Sequence, residues 1–163
     1  MSIVADILKS YRQPVQVARK RQSIGTEATA LATLMGSALL IFVAQWPRLA
    51  RDAHFDPSVP MDARIGGALL GILFIFPLAA YVFSGILFLF VRLFSKQVTG
   101  ISMRLALFWS FLVVSPLWLV YGLLVGFLGA APVIDVLGIM ILAMFLIVLI
   151  SSVKAAMDPD GLT

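Results

Sequence analysis

The stretch Ile65–Val91, IGGALLGILFIFPLAAYVFSGILFLFV, carries no charged residue and no side-chain amide, and Arg64 and Arg92 bracket it. As a helix rising about 1.5 Å per residue it reaches roughly 40 Å, more than the roughly 30 Å hydrocarbon layer of a bilayer. A run this long and this apolar spans a membrane, and the rest of the chain is expected to be arranged around it.

Composition agrees. The 163 residues are 61% hydrophobic and 12% charged, with a mean hydropathy of +1.06, which lies outside the range of soluble domains. The expectation is one membrane domain, residues 1–163, because no remaining segment approaches the ~50 residues a separate soluble core needs. The net charge of +4 does not point to nucleic acid, since the basic residues sit beside apolar spans, where they orient the protein and meet anionic lipid. Without cysteine there are no disulfides, thiolate metal sites or cysteine nucleophiles. Residues 1–26 are too polar for a signal peptide and lead into a full-length span, so no processing is expected there.

Along the chain, Ile3, Val4, Ile7, Leu8 and Tyr11 recur at helical spacing opposite Ser2, Asp6, Lys9 and Ser10, and Pro14 ends the pattern. Two readings stand: a short amphipathic helix lying on the membrane surface, or a solvated basic leader that only fixes topology. In the first, Lys9, Arg12, Arg19, Lys20 and Arg21 face lipid phosphates. The first span is expected over 27–47, capped by Thr26 and closing at Trp46 and Pro47, with Ala28, Ala32 and Gly36 as a small-residue stripe for close helix contact. The second span, 65–91, contains the pair Gly67 and Gly71, and Pro77 should kink it. The third, 105–128, has Pro116 at its middle and the pair Gly122 and Gly126, and the fourth covers 133–153, followed by a short polar tail. The architecture expected is therefore an all-α bundle of four transmembrane helices plus a short interfacial helix.

Topology follows from lysine and arginine near the spans. Five lie in the leader, three (Arg92, Lys96, Arg104) in the second polar connection and one in the tail, against three in the Arg48–Arg64 loop. The eight of the leader and that connection are expected to meet lipid headgroups or a cytoplasmic partner. Nine against three places both termini in the cytoplasm, with an inner bacterial membrane as the expected location. A faint echo aligns Pro77 with Pro116 and Tyr81 with Tyr121, and chance resemblance between apolar stretches accounts for it.

Reactive groups at membrane depth would signal chemistry. Glu27 and Asp135 fall at span ends, where a carboxylate complements the helix dipole, although Asp135 also has Arg51 or Arg64 within conceivable reach. Serines 37, 84, 110 and 115 have no histidine or lysine at comparable depth. Asp52, His54 and Asp56 are spaced two apart, yet three ligands in a proline-containing loop make a poor metal site, and a charge-balanced connector is preferred. No catalytic residue, cofactor or metal is expected.

The basic leader with Arg12-Gln13-Pro14, a first span closing in Trp46-Pro47, and later spans broken by Pro77 and Pro116 resemble the bacterial branch of the Yip-type membrane domain family. That resemblance covers most of the chain through loose, non-catalytic motifs. Eukaryotic members are associated with small GTPases of membrane traffic and with membrane shaping. Members commonly have five spans, whereas four are expected here, with a surface helix as one of the two readings of the leader. The function expected is non-catalytic: a scaffold or accessory subunit that binds other membrane proteins or itself, or that organises lipid. A small oligomeric transporter with proline hinges is the alternative, and a lipid-modifying enzyme stands third.

Overall fold

The computed structural model describes residues 2–129 and 131–158, and within them the structure is all-helical. Two short helices, α1 (Ile3–Ser10) and α2 (Pro14–Ile24), precede α3 (Glu27–Phe55). Then α4 (Met61–Leu70), a π-helical turn at Gly71–Ile75 and α5 (Phe76–Arg92) form one continuous rod, followed by α6 (Gly100–Leu128) and α7 (Pro132–Met157). Four of these units, Glu27–Phe55, Met61–Arg92, Gly100–Leu128 and Pro132–Met157, are long and apolar enough to cross a membrane. The expected four-span bundle is the observed architecture.

Two spans start on reciprocal caps. The Thr26 backbone N–H donates to Thr29 Oγ1 (2.7 Å) while Thr29 N–H donates to Thr26 Oγ1 (3.3 Å), and Thr99 and Ser102 repeat the arrangement at 3.1 and 3.2 Å. The second cap starts α6 five residues before the expected position, at Gly100.

α3 does not close at Pro47. A proline removes one backbone donor but leaves later residues free to bond, so α3 runs on to Phe55 with Arg48 and Asp52 paired at 3.6 Å. The Arg48–Arg64 connection is thereby reduced to a five-residue turn, 56–60, closed by Arg64. Its Nη2 donates to the Asp56 carbonyl (2.9 Å) and carboxylate (3.1 Å), and its Nε donates to the Val59 carbonyl (3.1 Å). At the same end Arg51 Nη1 donates to the final carbonyls of α6, Gly126 (3.4 Å) and Phe127 (3.3 Å), and neutralises that helix's negative pole.

The prolines at 77 and 116 are accommodated differently. Ahead of Pro77 the helix widens into the π turn, which absorbs the lost donor and the ring's bulk. Pro116 leaves the Leu112 carbonyl without its usual donor, and Ser115 Oγ donates to it at 2.9 Å; the neighbouring Val113 carbonyl accepts from Tyr11 at 2.6 Å.

The organising element is α6, not the Ile65–Val91 run. Met103, Leu105–Ser110 and Leu112–Ser115 are buried, whereas α5 buries only Pro77, Ala80, Ser84 and Val91, and α4 buries nothing. In a bilayer an oily helix gains nothing by leaving lipid, and Leu70, Phe74, Leu78, Val82, Ile86 and Phe90 face outward. Phe108, fully buried, sits where α3, α5, α6 and α7 meet, against Leu34, Ala80 and Leu149.

Candidate functional site

The small-residue pairs separate into two kinds. A Cβ at Gly122 would collide with the Ala44 carbonyl, and one at Gly126 with the Pro47 ring and backbone, so α3 and α6 touch backbone to backbone there. Around Gly67 and Gly71 there is open space to 4 Å, so this pair takes no part in holding the bundle together. On α3 the inward face is Ala30, Leu34, Ser37 and Ala38; Ala28 and Ala32 are exposed and Gly36 only approaches Leu112. The alanine stripe is a correction: a repeat of four alone does not tell which face of a uniformly apolar helix turns inward.

The leader is a docked helical hairpin rather than a solvated arm: α1 is the expected short amphipathic helix, with Ile3, Val4 and Leu8 exposed, and α2 adds a second helix that packs on the body. Gln13 precedes Pro14 at the start of α2, Gly25 ends it against Leu105, and Val17 and Ala18 are buried on the body. Trp109 Nε1 donates to Ser10 Oγ (3.1 Å), Ser10 Oγ donates to the Asp6 carbonyl (2.8 Å), and Tyr11 reaches Val113. Val113 lies within one residue of the middle of α6, so the hairpin tip stands halfway along the bundle. Burial pushes the Tyr11 phenol above its ordinary pKa of 10.0, which keeps it a hydrogen-bond donor. Tyr11→Phe is expected to weaken hairpin docking by about 1 kcal/mol, read as faster hydrogen exchange in residues 3–24.

Of the eight cations expected to meet headgroups, four are engaged inside the chain. Arg21 donates to Asp6 (2.7 Å) with its guanidinium 4.4 Å from the Trp109 ring centre, and Lys20 donates to the other Asp6 oxygen (3.1 Å). Arg19 holds the Asp158 carboxylate (3.0 Å) and carbonyl (3.2 Å), and Arg104 pairs with Glu27. Arg92 lies over Phe88 at 5.3 Å, while Lys9, Arg12 and Lys96 are exposed with no ion pair among the described residues. The pairings were hidden in the sequence because Asp6 and Asp158 lie far from their partners along the chain. Gln22 adds to the same end by donating to the Ser152 carbonyl at 2.9 Å.

Asp6 supplies a pH test. Burial raises its pKa, but hydrogen bonding and charge from Lys20 and Arg21 outweigh that and hold the carboxyl below its ordinary 3.8. A lowered folded-state pKa means this stabilisation is complete above the ordinary value and is lost as pH falls through the folded one. Fluorescence of Trp109, in a chain with Trp46 and Trp118 replaced by phenylalanine, should stay constant from about pH 8 to 5. It should change only below that carboxylate range, and Asp6→Asn should show the changed signal already at neutral pH.

The remaining polar groups do not converge. Asp52 faces Arg48, Asp56 faces Ser58 and Arg64, and His54 packs edge-on to Phe55; among the described residues no group of three or more metal-ligating side chains comes together. Asp135 is exposed in the first turn of α7, with Arg51 and Arg64 committed elsewhere. Most buried hydroxyls bond their own helices: Ser37 donates to Leu34, Ser84 to Tyr81 and Ser110 to Ala106, each at 2.7 Å, whereas the fully buried Ser152 Oγ has no hydrogen-bond partner among the described residues. Comparison of the chain with protein-family models, curated proteins and solved structures finds no match.

Proposed function

We propose that this chain is a non-catalytic integral membrane scaffold or accessory subunit that binds other membrane proteins, or further copies of itself, and organises the lipid around it. The carrying observation is how the four serines within the spans that sequence singled out are used: Ser37, Ser84, Ser110 and Ser115 donate to carbonyls three or four residues back in their own helices. A hydroxyl so engaged is a packing device and lacks the adjacent base that nucleophilic chemistry requires. What the molecule offers outward is the α4–α5 rod, which leaves Gly67 and Gly71 open to a close helix approach.

In this reading the protein sits in the inner membrane of a bacterium with both termini cytoplasmic. The nine-to-three excess of basic residues supports that orientation, as does the gathering of α2, the α7 end and Val98 of the 93–99 connection at one end of the bundle. The Yip-type resemblance fits the same role through its association with membrane shaping. Crosslinking in native membranes followed by mass spectrometry tests the proposal. Reproducible crosslinks from α4–α5 to a membrane protein or a second copy are expected. Solute flux through the purified chain in proteoliposomes, with only internal crosslinks, would overturn it in favour of a transporter.

A further inference from the structure

Tyr11 fixes the depth of the α1–α2 turn. Its hydroxyl bonds the Val113 carbonyl, nine residues beyond Arg104 along α6, an axial distance of about 14 Å. Arg104 and Glu27 pair at the start of their spans, so the Tyr11 hydroxyl meets α6 well along the span from that end. Lys9 and Arg12 flank Tyr11, are exposed and have no carboxylate partner among the described residues. Unpaired cations beside an apolar span call for an anionic counter-charge.

The surroundings supply a shape for one. Leu8, Lys9, Tyr11, Arg12 and Gln13 line an open cavity of about 650 Å³, which has two cations, an amide and a phenol but no acid. Tyr11 also borders a second groove of about 450 Å³, walled by apolar side chains of α6 and α7 such as Leu117, Met140, Ile141 and Met144. A largely apolar cavity bordered by two unpaired cations, meeting an oily trough at one tyrosine, suits a molecule with an anionic head and a long hydrocarbon tail.

We infer that the hairpin tip and the α6–α7 groove together bind one acidic glycerophospholipid. Lys9 and Arg12 hold its phosphate, and one acyl chain lies past Tyr11 along Leu117 and Ile141. This rests on the membrane reading above and narrows its lipid contacts from eight cations to two.

Native mass spectrometry of the full chain in mild detergent tests it, with phosphatidylglycerol or phosphatidylcholine of identical chains added. The wild type should retain phosphatidylglycerol about tenfold better, and Lys9→Gln with Arg12→Gln should abolish that preference. Lys96→Gln, an exposed cation elsewhere, should leave it intact. Met140→Trp, filling the trough from its exposed side, should reduce retention of both lipids. Unchanged Trp109 emission in the double variant would show that the hairpin is still docked. Equal retention of the two lipids by the wild type, or undiminished preference in the docked double variant, would overturn the inference; so would a photoprobe at Gln13 that captures protein instead of lipid. Lost lipid preference with intact α4–α5 crosslinks refutes this site alone, whereas lipid preference without such crosslinks refutes the scaffold alone.

Discussion

Gly122→Leu is expected to separate α3 from the C-terminal half of α6 and destabilise the bundle by about 3 kcal/mol or more. The reason is the nature of the neighbour. A Cβ at Gly122 meets the Ala44 carbonyl and one at Gly126 meets Pro47, and neither is a flexible side chain that can swing aside. Relief requires α3 to retreat, which breaks dispersion contacts along the whole α3–α6 seam. It also draws Arg51 away from the last carbonyls of α6. Gly67→Leu and Gly71→Leu, with open space around them, should leave monomer stability within about 0.5 kcal/mol. Unfolding in mixed micelles with increasing dodecyl sulfate measures the difference. Equal losses at 67 and 122 would contradict the assigned packing.

Phe108→Ala should cost a comparable or larger amount, about 3–5 kcal/mol. Phe108 is fully buried, its ring centre lies 5.0 Å from that of Tyr81 at a 63° edge-on angle, and it packs with residues of every span. Removing the ring leaves a cavity that four helices would have to close together, and their proline and glycine contacts limit such movement. Phe127→Ala, at a site 79% exposed, serves as the control and should change stability by less than about 0.5 kcal/mol. The same dodecyl sulfate titration reads both. A stable Phe108→Ala bundle would mean that the centre lies elsewhere.

How much of this was legible depends on what each signal measures. Length and oiliness placed all four spans, because the bilayer imposes both on any crossing helix. Thr26 was readable as a cap, and Gly122 with Gly126 as a close contact, since both rest on local chemistry. The centre of the bundle was not legible from hydropathy. The stretch 65–91 is the more uniformly oily and faces lipid, while α6, interrupted by Ser110, Ser115 and Trp109, is enclosed. In lipid, hydropathy reports exposure to tails, and shape decides burial. The continuation of α3 past Pro47 was obscured by treating proline as a stop when it deletes only one donor. The second hairpin helix was hidden because its stabilisation comes from α6, α7 and Asp6 rather than from its own amphipathic pattern. Lys20 and Arg21 read as headgroup ligands for the same reason, as did Arg19. A basic cluster looks alike whether its counter-charges are lipid phosphates or carboxylates from elsewhere in the chain.

The account's central claim is that this protein works through its outward surfaces, above all the α4–α5 rod. The absence of native cysteine makes a direct measurement simple, because Leu70→Cys introduces a single thiol on that rod, at a side chain 56% exposed. Labelled there with a photoactivatable maleimide and illuminated in native membranes, the chain should join one membrane protein, or a second copy of itself, in high yield. Gly67→Leu should suppress that product while the folded monomer persists. If the label at position 70 captures only lipid and Gly67→Leu changes nothing, the rod faces bulk bilayer and the scaffold reading is wrong.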